Sequence, residues 1–143
     1  MLSSDNLTLI RTDTFENVPR RLFEDSADEL LDKEMIDTIY ANNEAFRKDP
    51  LTMIYEMRDK DGNVQGVVWI VVDLLAQGLY GRFVAVSPEY RDRTVIKKVT
   101  DFGEQLARAM GLKRIFAASQ MDTSFWQSFG WREMKTRTLV KEV

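Results

Sequence analysis

The chain contains no cysteine and no histidine. Their absence excludes disulfide bonds, thiol nucleophiles, Ser-His-Asp arrangements and nearly all zinc sites, so we predict no metal site. Any catalysis then depends on carboxylates, tyrosines, lysines or backbone amides. No apolar run approaches the roughly 20 residues that a membrane helix needs, and the N-terminal residues lack the charged-then-apolar layout of a signal peptide. We accordingly expect a cytoplasmic protein that does not contact a membrane.

Charge is unevenly distributed along the chain, whose net charge is -3. Residues 1–65 carry 15 acidic and 8 basic side chains, whereas residues 66–143 carry 8 and 12. An anionic ligand is therefore expected on the second half, and the acidic first half is most simply a solvated face. No repeat, linker or low-complexity stretch divides the 143 residues, which predicts one domain over 1–143.

The stretch from Leu79 to Ser119 predicts a strand, a long helix and a second strand. The strand Tyr80–Val86 is rich in β-branched and aromatic residues, and Lys113–Ser119 is a second short apolar strand. Between them, apolar residues recur at three- and four-residue steps on one helical face, with Asp92 as N-cap and Gly111 as C-cap. A unit this compact is typical of a right-handed crossover that joins two parallel strands.

The remaining elements follow from periodicity and turn residues. The other predicted strands are Leu7–Arg11, Leu51–Arg58, Val64–Asp73 and Thr136–Lys141, and the other predicted helices are Phe15–Phe23, Asp28–Asn42 and Ser124–Phe129. The Asp-Gly pair within residues 59–63 predicts a hairpin, and the unbroken apolar run of residues 67–72 predicts a strand buried on both faces. Together these elements predict an α/β (α+β) chain with a mixed, mostly antiparallel sheet.

Two motifs carry a resemblance to a known family. Val86–Arg91 (VSPEYR) resembles the opening of the coenzyme A motif V-x-P-x-Y-R of the GNAT superfamily, the acyl-coenzyme A-dependent N-acyltransferases. Phe125–Trp131 (FWQSFGW) resembles the family's terminal F-Y-x-x-x-G-F, and the order of elements agrees over essentially the whole chain. The resemblance implies a GNAT-like sheet whose parallel strands splay apart, flanked by helices.

The resemblance also implies where acetyl-coenzyme A would bind. The family's motif continues with a glycine loop whose N–H groups face the pyrophosphate at a helix start, but here the run is DRTVI, residues 92–96. The candidate cofactor-binding residues are Val86, Arg91, Arg93, Thr94, Val95 and Ile96. Because a carboxylate and branched side chains replace the glycines, we predict that the chain binds no cofactor.

The proton donor of the family is the second departure. The tyrosine that usually acts as general acid in the terminal motif corresponds to Trp126, which has no titratable proton in the useful range. If the chain is active, Glu89 and Tyr80 are the candidate catalytic residues. Asp73 and Glu56 are two further carboxylates in or beside the central strands.

Three functional hypotheses follow from these departures. The first is a non-catalytic binding or assembly protein that binds protein subunits or itself, with a phage virion component as one form, because diverged GNAT-like domains occur among bacteriophage proteins. The second is an acetyl-coenzyme A-dependent N-acetyltransferase with a remodelled cofactor loop. The third is phosphate or nucleic-acid binding through Arg91, Arg93, Lys97 and Lys98, which are more simply a solvated helix face.

Overall fold

The computed structural model of the protein describes residues 2–26, 28–118 and 123–143. Its strands are β1 (Thr8–Arg11), β2 (Thr52–Arg58), β3 (Val64–Asp73), β4 (Gly78–Val86) and β5 (Arg114–Ala117). Its helices are α1 (Arg21–Glu24), α2 (Lys33–Ala41), α3 (Asn43–Lys48), α4 (Arg93–Ala109) and α5 (Thr123–Gln127), with 3-10 turns at Ser4–Asn6 and Pro88–Tyr90. Across the described ranges, no helix is both long and apolar enough to cross a membrane.

The five strands form one mixed sheet in the order β1-β2-β3-β4-β5. Strands β1 to β4 pair antiparallel, and β4 pairs parallel with β5. The predicted mixed sheet with one parallel pair is therefore confirmed, and β3 has the predicted bounds. The sheet separates two apolar cores, because alternate residues of each strand face opposite sides. One core lies under α4, and the other lies under α1, α2 and α3.

Helix α4 covers one face of the sheet and connects the parallel strands. The Asp92 carboxylate accepts hydrogen bonds from the backbone N–H groups of Thr94 and Val95, so the predicted N-cap is confirmed. Gly111 has φ +72°, a conformation that a β-carbon would disfavour, which confirms the predicted end of the helix. The crossover was predictable because both of its ends carry strong capping residues.

The N-terminal helices differ from their prediction. The predicted helix Phe15–Phe23 is wrong except in its last turn, since α1 begins at Arg21. Pro19 lacks an N–H and disfavours helical geometry at the residue before it, and the Phe15 N–H donates to the Asn43 side chain instead. The next predicted helix begins later than expected, at Lys33 after the N-cap Asp32, and α3 was not predicted.

The C-terminal residues also differ from their prediction. The predicted strand Thr136–Lys141 is absent, because residues 131–143 contain no strand and are almost entirely exposed. The alternating pattern of that segment is present, but it pairs with none of the strands in the described residues. Helix α5 overlaps the predicted short helix Ser124–Phe129, and Asp122, which precedes it in the sequence and could cap it, lies outside the described residues.

Candidate functional site

The candidate site lies at the point where the pairing between β4 and β5 ends. The register of β4 against β3 shifts there, since Trp69 pairs with Phe83 and Ile70 pairs with Gly81, which leaves Arg82 as an extra residue. Pairing of β4 with β5 ends at the same point, Gly81 opposite Ala117. A β-bulge bends its strand and increases the twist. The bulge thus coincides with the end of the pairing recorded between the two parallel strands.

Beyond the bulge, residues 82–86 of β4 form what we call the open edge. Residues 83–86 pair with β3 on one side and, within the described ranges, residues 82–86 pair with no strand on the other. Val84, in the middle of the open edge, exposes 40% of its surface. An unpaired strand edge presents backbone N–H and C=O groups to any extended chain that lies alongside it. The open edge is therefore suited to an extended ligand that contains amide groups.

The first turn of α4 stands beside the end of the open edge, but two of its backbone N–H donors are already engaged. The Asp92 Oδ1 atom lies 3.0 Å from the Thr94 N–H nitrogen and 3.3 Å from that of Val95. A hydrogen bond from the Thr94 hydroxyl, followed by those two backbone bonds, lowers the pKa of Asp92 below its ordinary value. The Thr94 hydroxyl also lies 2.6 Å from the hydroxyl of Ser4. An ionised carboxylate therefore occupies the helix start at neutral pH.

Two exposed arginines flank the same region. Arg91 Nε donates a 3.0 Å hydrogen bond to the backbone carbonyl of Val86, at the end of the open edge. The Arg93 guanidinium lies 5.6 Å from the ring centroid of Phe125 and 5.7 Å from that of Phe129. These cation–π contacts place the positive charge of Arg93 between the start of α4 and α5. Neither guanidinium is buried, so both can meet an anion from solvent.

Tyr80 and Trp126 line one groove beside β5, near the point where the pairing of β4 with β5 ends. This groove has a volume of about 760 Å³ and lies between β5, α4, α5 and the C-terminal residues; we call it the C-terminal groove. Tyr80 is half-buried and pairs with Phe116 of β5 just before the bulge. Trp126 packs against Trp131, with ring centroids 5.4 Å apart. Among the predicted catalytic residues, Tyr80 thus shares a cavity with the tryptophan that replaces the family's tyrosine.

The predicted carboxylates lie away from the bulge. Glu89 is exposed in the turn after β4, where it lines a separate hollow of about 460 Å³ together with Arg21 and Asp25. Asp73 is exposed at the end of β3, and its side chain accepts a hydrogen bond from the Ala76 N–H. The structure therefore does not bring Glu89 and Tyr80 together in one cavity.

Glu56 is buried and paired, and is therefore not available as a base. Its side chain has 0% exposure, and Oε1 accepts hydrogen bonds from Arg58 Nε at 2.8 Å and Arg58 Nη2 at 2.6 Å. Within the described residues, Glu56 Oε2 and the indole N–H of Trp69 are buried without a hydrogen-bond partner. Among the described residues, the Arg58 guanidinium consequently supplies the charge compensation for this carboxylate.

Sequence reasoning missed a charged pair at the bulge. Arg82 Nη1 lies 3.4 Å from Asp28 Oδ2, and its guanidinium lies 5.6 Å from the ring centroid of Trp69. Both charged side chains are partly exposed, on the sheet face that α1 to α3 cover. No sequence signal links two residues that are 54 positions apart.

Most of the basic side chains at the start of α4 have partners within the chain, which the sequence does not indicate. Lys97 Nζ lies 2.6 Å from Asp101 Oδ2, and this hydrogen bond raises the pKa of Lys97 above its ordinary value. Arg91 and Arg93 have the internal contacts described above, so three of the four cations have partners within the chain. This arrangement is less favourable to a nucleic-acid backbone, which needs several free cations, than to a single anion at the exposed Arg91 and Arg93.

Comparisons with known proteins agree on one family. A sequence model of the Acetyltransferase (GNAT) family matches residues 12–131. A possible acetyltransferase from Clostridium difficile 630 superposes with a TM-score of 0.73 at 10% identity, over 96% of this chain and 97% of that chain. An aminoglycoside N-acetyltransferase in complex with CoA superposes with a TM-score of 0.70 at 13% identity, over 95% of this chain and 94% of that chain. Spermidine N-acetyltransferase from Vibrio cholerae superposes with a TM-score of 0.67 at 15% identity, over 91% of this chain and 81% of that chain.

These likenesses decide between some of the predictions. The structural matches have low identity and show the fold alone, and a search of curated protein sequences gives no significant match. The predicted GNAT-like fold is confirmed. The N-acetyltransferase alternative agrees with the comparisons better than the non-catalytic hypothesis does, and a phage or virion origin has no support in them.

Proposed function

The chain belongs to the GNAT acetyltransferase family, and from this premise we propose that it is an acetyl-coenzyme A-dependent N-acetyltransferase. The observation that carries the proposal is the open edge of β4, which begins at the bulge and leaves Val84 accessible. A structural neighbour described in complex with CoA supports a coenzyme at this fold. The earlier prediction of a chain without a cofactor is therefore replaced by this proposal.

The described residues fit the coenzyme with one departure. The amide-containing arm of the coenzyme matches the unpaired backbone of residues 82–86. The diphosphate would lie near Arg91 and Arg93, whose guanidinium groups form charge-assisted hydrogen bonds with phosphate oxygens. The departure is the start of α4, from Thr94 to Ile96. There the Asp92 carboxylate already accepts hydrogen bonds from the backbone N–H groups of Thr94 and Val95. We infer that side-chain charge replaces much of what a glycine loop supplies.

When bound, acetyl-coenzyme A supplies an activated acetyl thioester. The chain itself then has to hold an amine acceptor and a proton near the bulge. The Asp28 carboxylate, 3.4 Å from Arg82, is placed to attract a cationic amine. The Tyr80 hydroxyl holds the proton that Trp126 cannot provide, since both residues line the C-terminal groove. Phe125 and Phe129 keep Arg93 beside the helix start.

The direct test is calorimetry with coenzyme A, followed by an acetylation assay over a panel of primary amines and polyamines. We expect micromolar binding of coenzyme A and measurable acetylation of at least one amine. Absence of binding at millimolar coenzyme A would contradict the proposal. That outcome would favour the non-catalytic binding protein, for which the self-capped start of α4 is the supporting observation.

Changing Asp92 to asparagine should tighten coenzyme A binding by about three- to tenfold. Asparagine is as good an N-cap as aspartate, whereas removal of one negative charge near the diphosphate weakens the electrostatic repulsion of that anion. Asp101→Asn, which removes the same charge from the middle of α4, is the matched control and should leave the affinity unchanged. Equal affinities for the wild type and Asp92→Asn would place the diphosphate elsewhere.

A further inference from the structure

The charged pair at the bulge, Arg82 and Asp28, retains hydrogen-bonding capacity for a ligand. One contact joins the two side chains, from Arg82 Nη1 to Asp28 Oδ2 at 3.4 Å, whereas strong charge-assisted hydrogen bonds span about 2.7 to 2.9 Å. A guanidinium carries five N–H donors, and no other hydrogen bond of Arg82 is recorded among the residues that the structure describes. The two side chains expose 35% and 28% of their surface. A ligand from solvent can therefore reach both charges.

Neighbouring groups hold both charges in place. The Arg82 guanidinium lies 5.6 Å from the centroid of the Trp69 ring. That ring is itself held by edge contacts with Phe15 and Phe46, with centroids 5.1 and 5.4 Å away. Asp28 Oδ1 accepts a 3.0 Å hydrogen bond from the backbone N–H two residues later in the chain. Groups that are positioned before a ligand arrives lose less conformational entropy when it binds.

The pair also lies next to the groups that the proposed function uses. Arg82 is the first residue of the open edge, and Tyr80, the proposed proton donor, lies two positions earlier in β4. Trp69 and Val71 are alternate residues of β3 and share one face of the sheet. Tyr80 pairs with Val71, so its side chain belongs to the same face as Trp69. A ligand held by the pair is therefore on the side of the sheet that carries the Tyr80 hydroxyl.

Two opposite charges at this spacing discriminate among amines. A polyamine brings only positive charge, which Asp28 attracts and Arg82 repels. A free α-amino acid carries an ammonium and a carboxylate on one carbon, so it presents both signs at a similarly short spacing. Its carboxylate can accept two parallel N–H bonds from the guanidinium, while its ammonium donates to Asp28. Because a partly exposed ion pair contributes little stability, such a ligand can separate the pair at small cost.

We propose that the acceptor of this chain is a free α-amino acid, whose ammonium binds Asp28 and whose carboxylate binds Arg82. The inference rests on the proposed N-acetyltransferase function and names its substrate class. Acetyl transfer forms the bond between the amine nitrogen and the acetyl carbon and breaks the carbon–sulfur bond. Of the two protons that the ammonium loses, one passes to water and the other replaces the proton that Tyr80 gives to the thiolate. The product nitrogen is an uncharged amide, which Asp28 no longer attracts, and this favours product release.

The first experiment measures acetylation of a panel of L-amino acids, each beside its amide, and of spermidine. The amide keeps the α-amine and lacks the carboxylate. We expect at least one free amino acid to exceed both its amide and spermidine in kcat/KM by at least about tenfold, because hydrogen bonds between charged groups are strong. A chain that acetylates the amides or spermidine as well as every free amino acid would overturn the proposal.

Two variants test the two ends of the acceptor separately. Arg82→Met should lower kcat/KM for the preferred amino acid by at least about tenfold and affect its amide much less, whereas Asp28→Asn should lower both, since both carry the ammonium. Arg20→Met is the matched control, because Arg20 also lies over a ring, that of Tyr40 at 5.9 Å, and pairs with a carboxylate, that of Asp37 at 2.6 Å, but lies outside the sheet. Arg20→Met should keep the preference for the free amino acid. A preference that survives in Arg82→Met would overturn the proposal.

Calorimetry separates a failure of this inference from a failure of the proposed function. The amino acids are titrated into the wild type with and without coenzyme A, which carries no acetyl group and so permits no turnover. Binding that Arg82→Met weakens at least about tenfold and Arg20→Met does not would support the site even in a chain without acetylation activity. If amines are acetylated but no free amino acid binds in either state, the proposed function stands and this inference is wrong. Thermal unfolding checks that Arg82→Met is folded, and Arg82→Gln provides the same test if it is not.

Discussion

Tyr80→Phe should lower the acetylation rate by about 100-fold at saturating amine and acetyl-coenzyme A, if the Tyr80 hydroxyl protonates the departing thiolate of the coenzyme. The size follows from general acid catalysis, which contributes about 100- to 10,000-fold. Phenylalanine keeps the aromatic ring at the β4 position that pairs with Phe116 and removes only the hydroxyl. The affinity for coenzyme A should therefore stay unchanged while kcat falls. Steady-state kinetics together with calorimetry separates the two effects.

Tyr90→Phe is the matched control for that experiment. Tyr90 is buried in the core under α4 and does not line the C-terminal groove, so its hydroxyl should be dispensable for turnover. Glu89→Gln tests the other candidate from the sequence, which lies in the separate hollow beyond the open edge. A large loss of turnover in Glu89→Gln combined with an active Tyr80→Phe would assign proton transfer to Glu89 instead.

Arg58→Ala should destabilise the fold by about 3 kcal/mol or more, the largest stability effect we expect from one surface-reaching side chain. Removal of one partner from a buried ion pair leaves an uncompensated charge, which typically costs about 3 to 5 kcal/mol. Glu56 is fully buried, and both hydrogen bonds recorded for its carboxylate come from Arg58. Chemical denaturation of the wild type and the variant measures the difference in free energy of unfolding.

Two further variants make this result specific. Arg47→Ala removes an arginine that pairs with the exposed carboxylates of Glu16 and Glu44, and it should cost less than about 1 kcal/mol. Adding Glu56→Gln to Arg58→Ala removes the unpaired charge and should recover part of the lost stability. If Arg58→Ala is no worse than Arg47→Ala, Glu56 is hydrated in the folded protein and again becomes a candidate base.

Local signals predicted the centre of the chain well. Helix α4 has a strong N-cap, a single apolar face and a C-terminal glycine, so its position required no knowledge of distant residues. Strand β3 was predictable because an unbroken apolar run next to an Asp-Gly turn fits a central strand. In contrast, the backbone around Phe15 depends on Asn43, 28 residues away, and a helix predicted from local spacing fails there.

The candidate site was predictable only in part. Motif resemblance located the proposed cofactor region from Val86 to Ile96. Only the hydrogen-bond geometry shows that the Asp92 carboxylate engages backbone N–H groups at the start of α4. The bulge at Arg82 depends on the register between β3 and β4, which no spacing in β4 alone encodes. Similarly, Glu56 has the sequence context of a strand carboxylate, and only packing shows that it is buried against Arg58.

The sequence by itself determined the central strands, helix α4 and the absence of histidine and cysteine chemistry, because periodicity, caps and composition are local properties, and its two motifs carried the resemblance to the family. Only the tertiary structure decided where β4 and β5 part, which side chains share the C-terminal groove, and which charges are already paired. The reason is physical: burial and pairing are properties of residues far apart in the chain, and they are established only when the sheet register and the packing of its two faces bring those residues together.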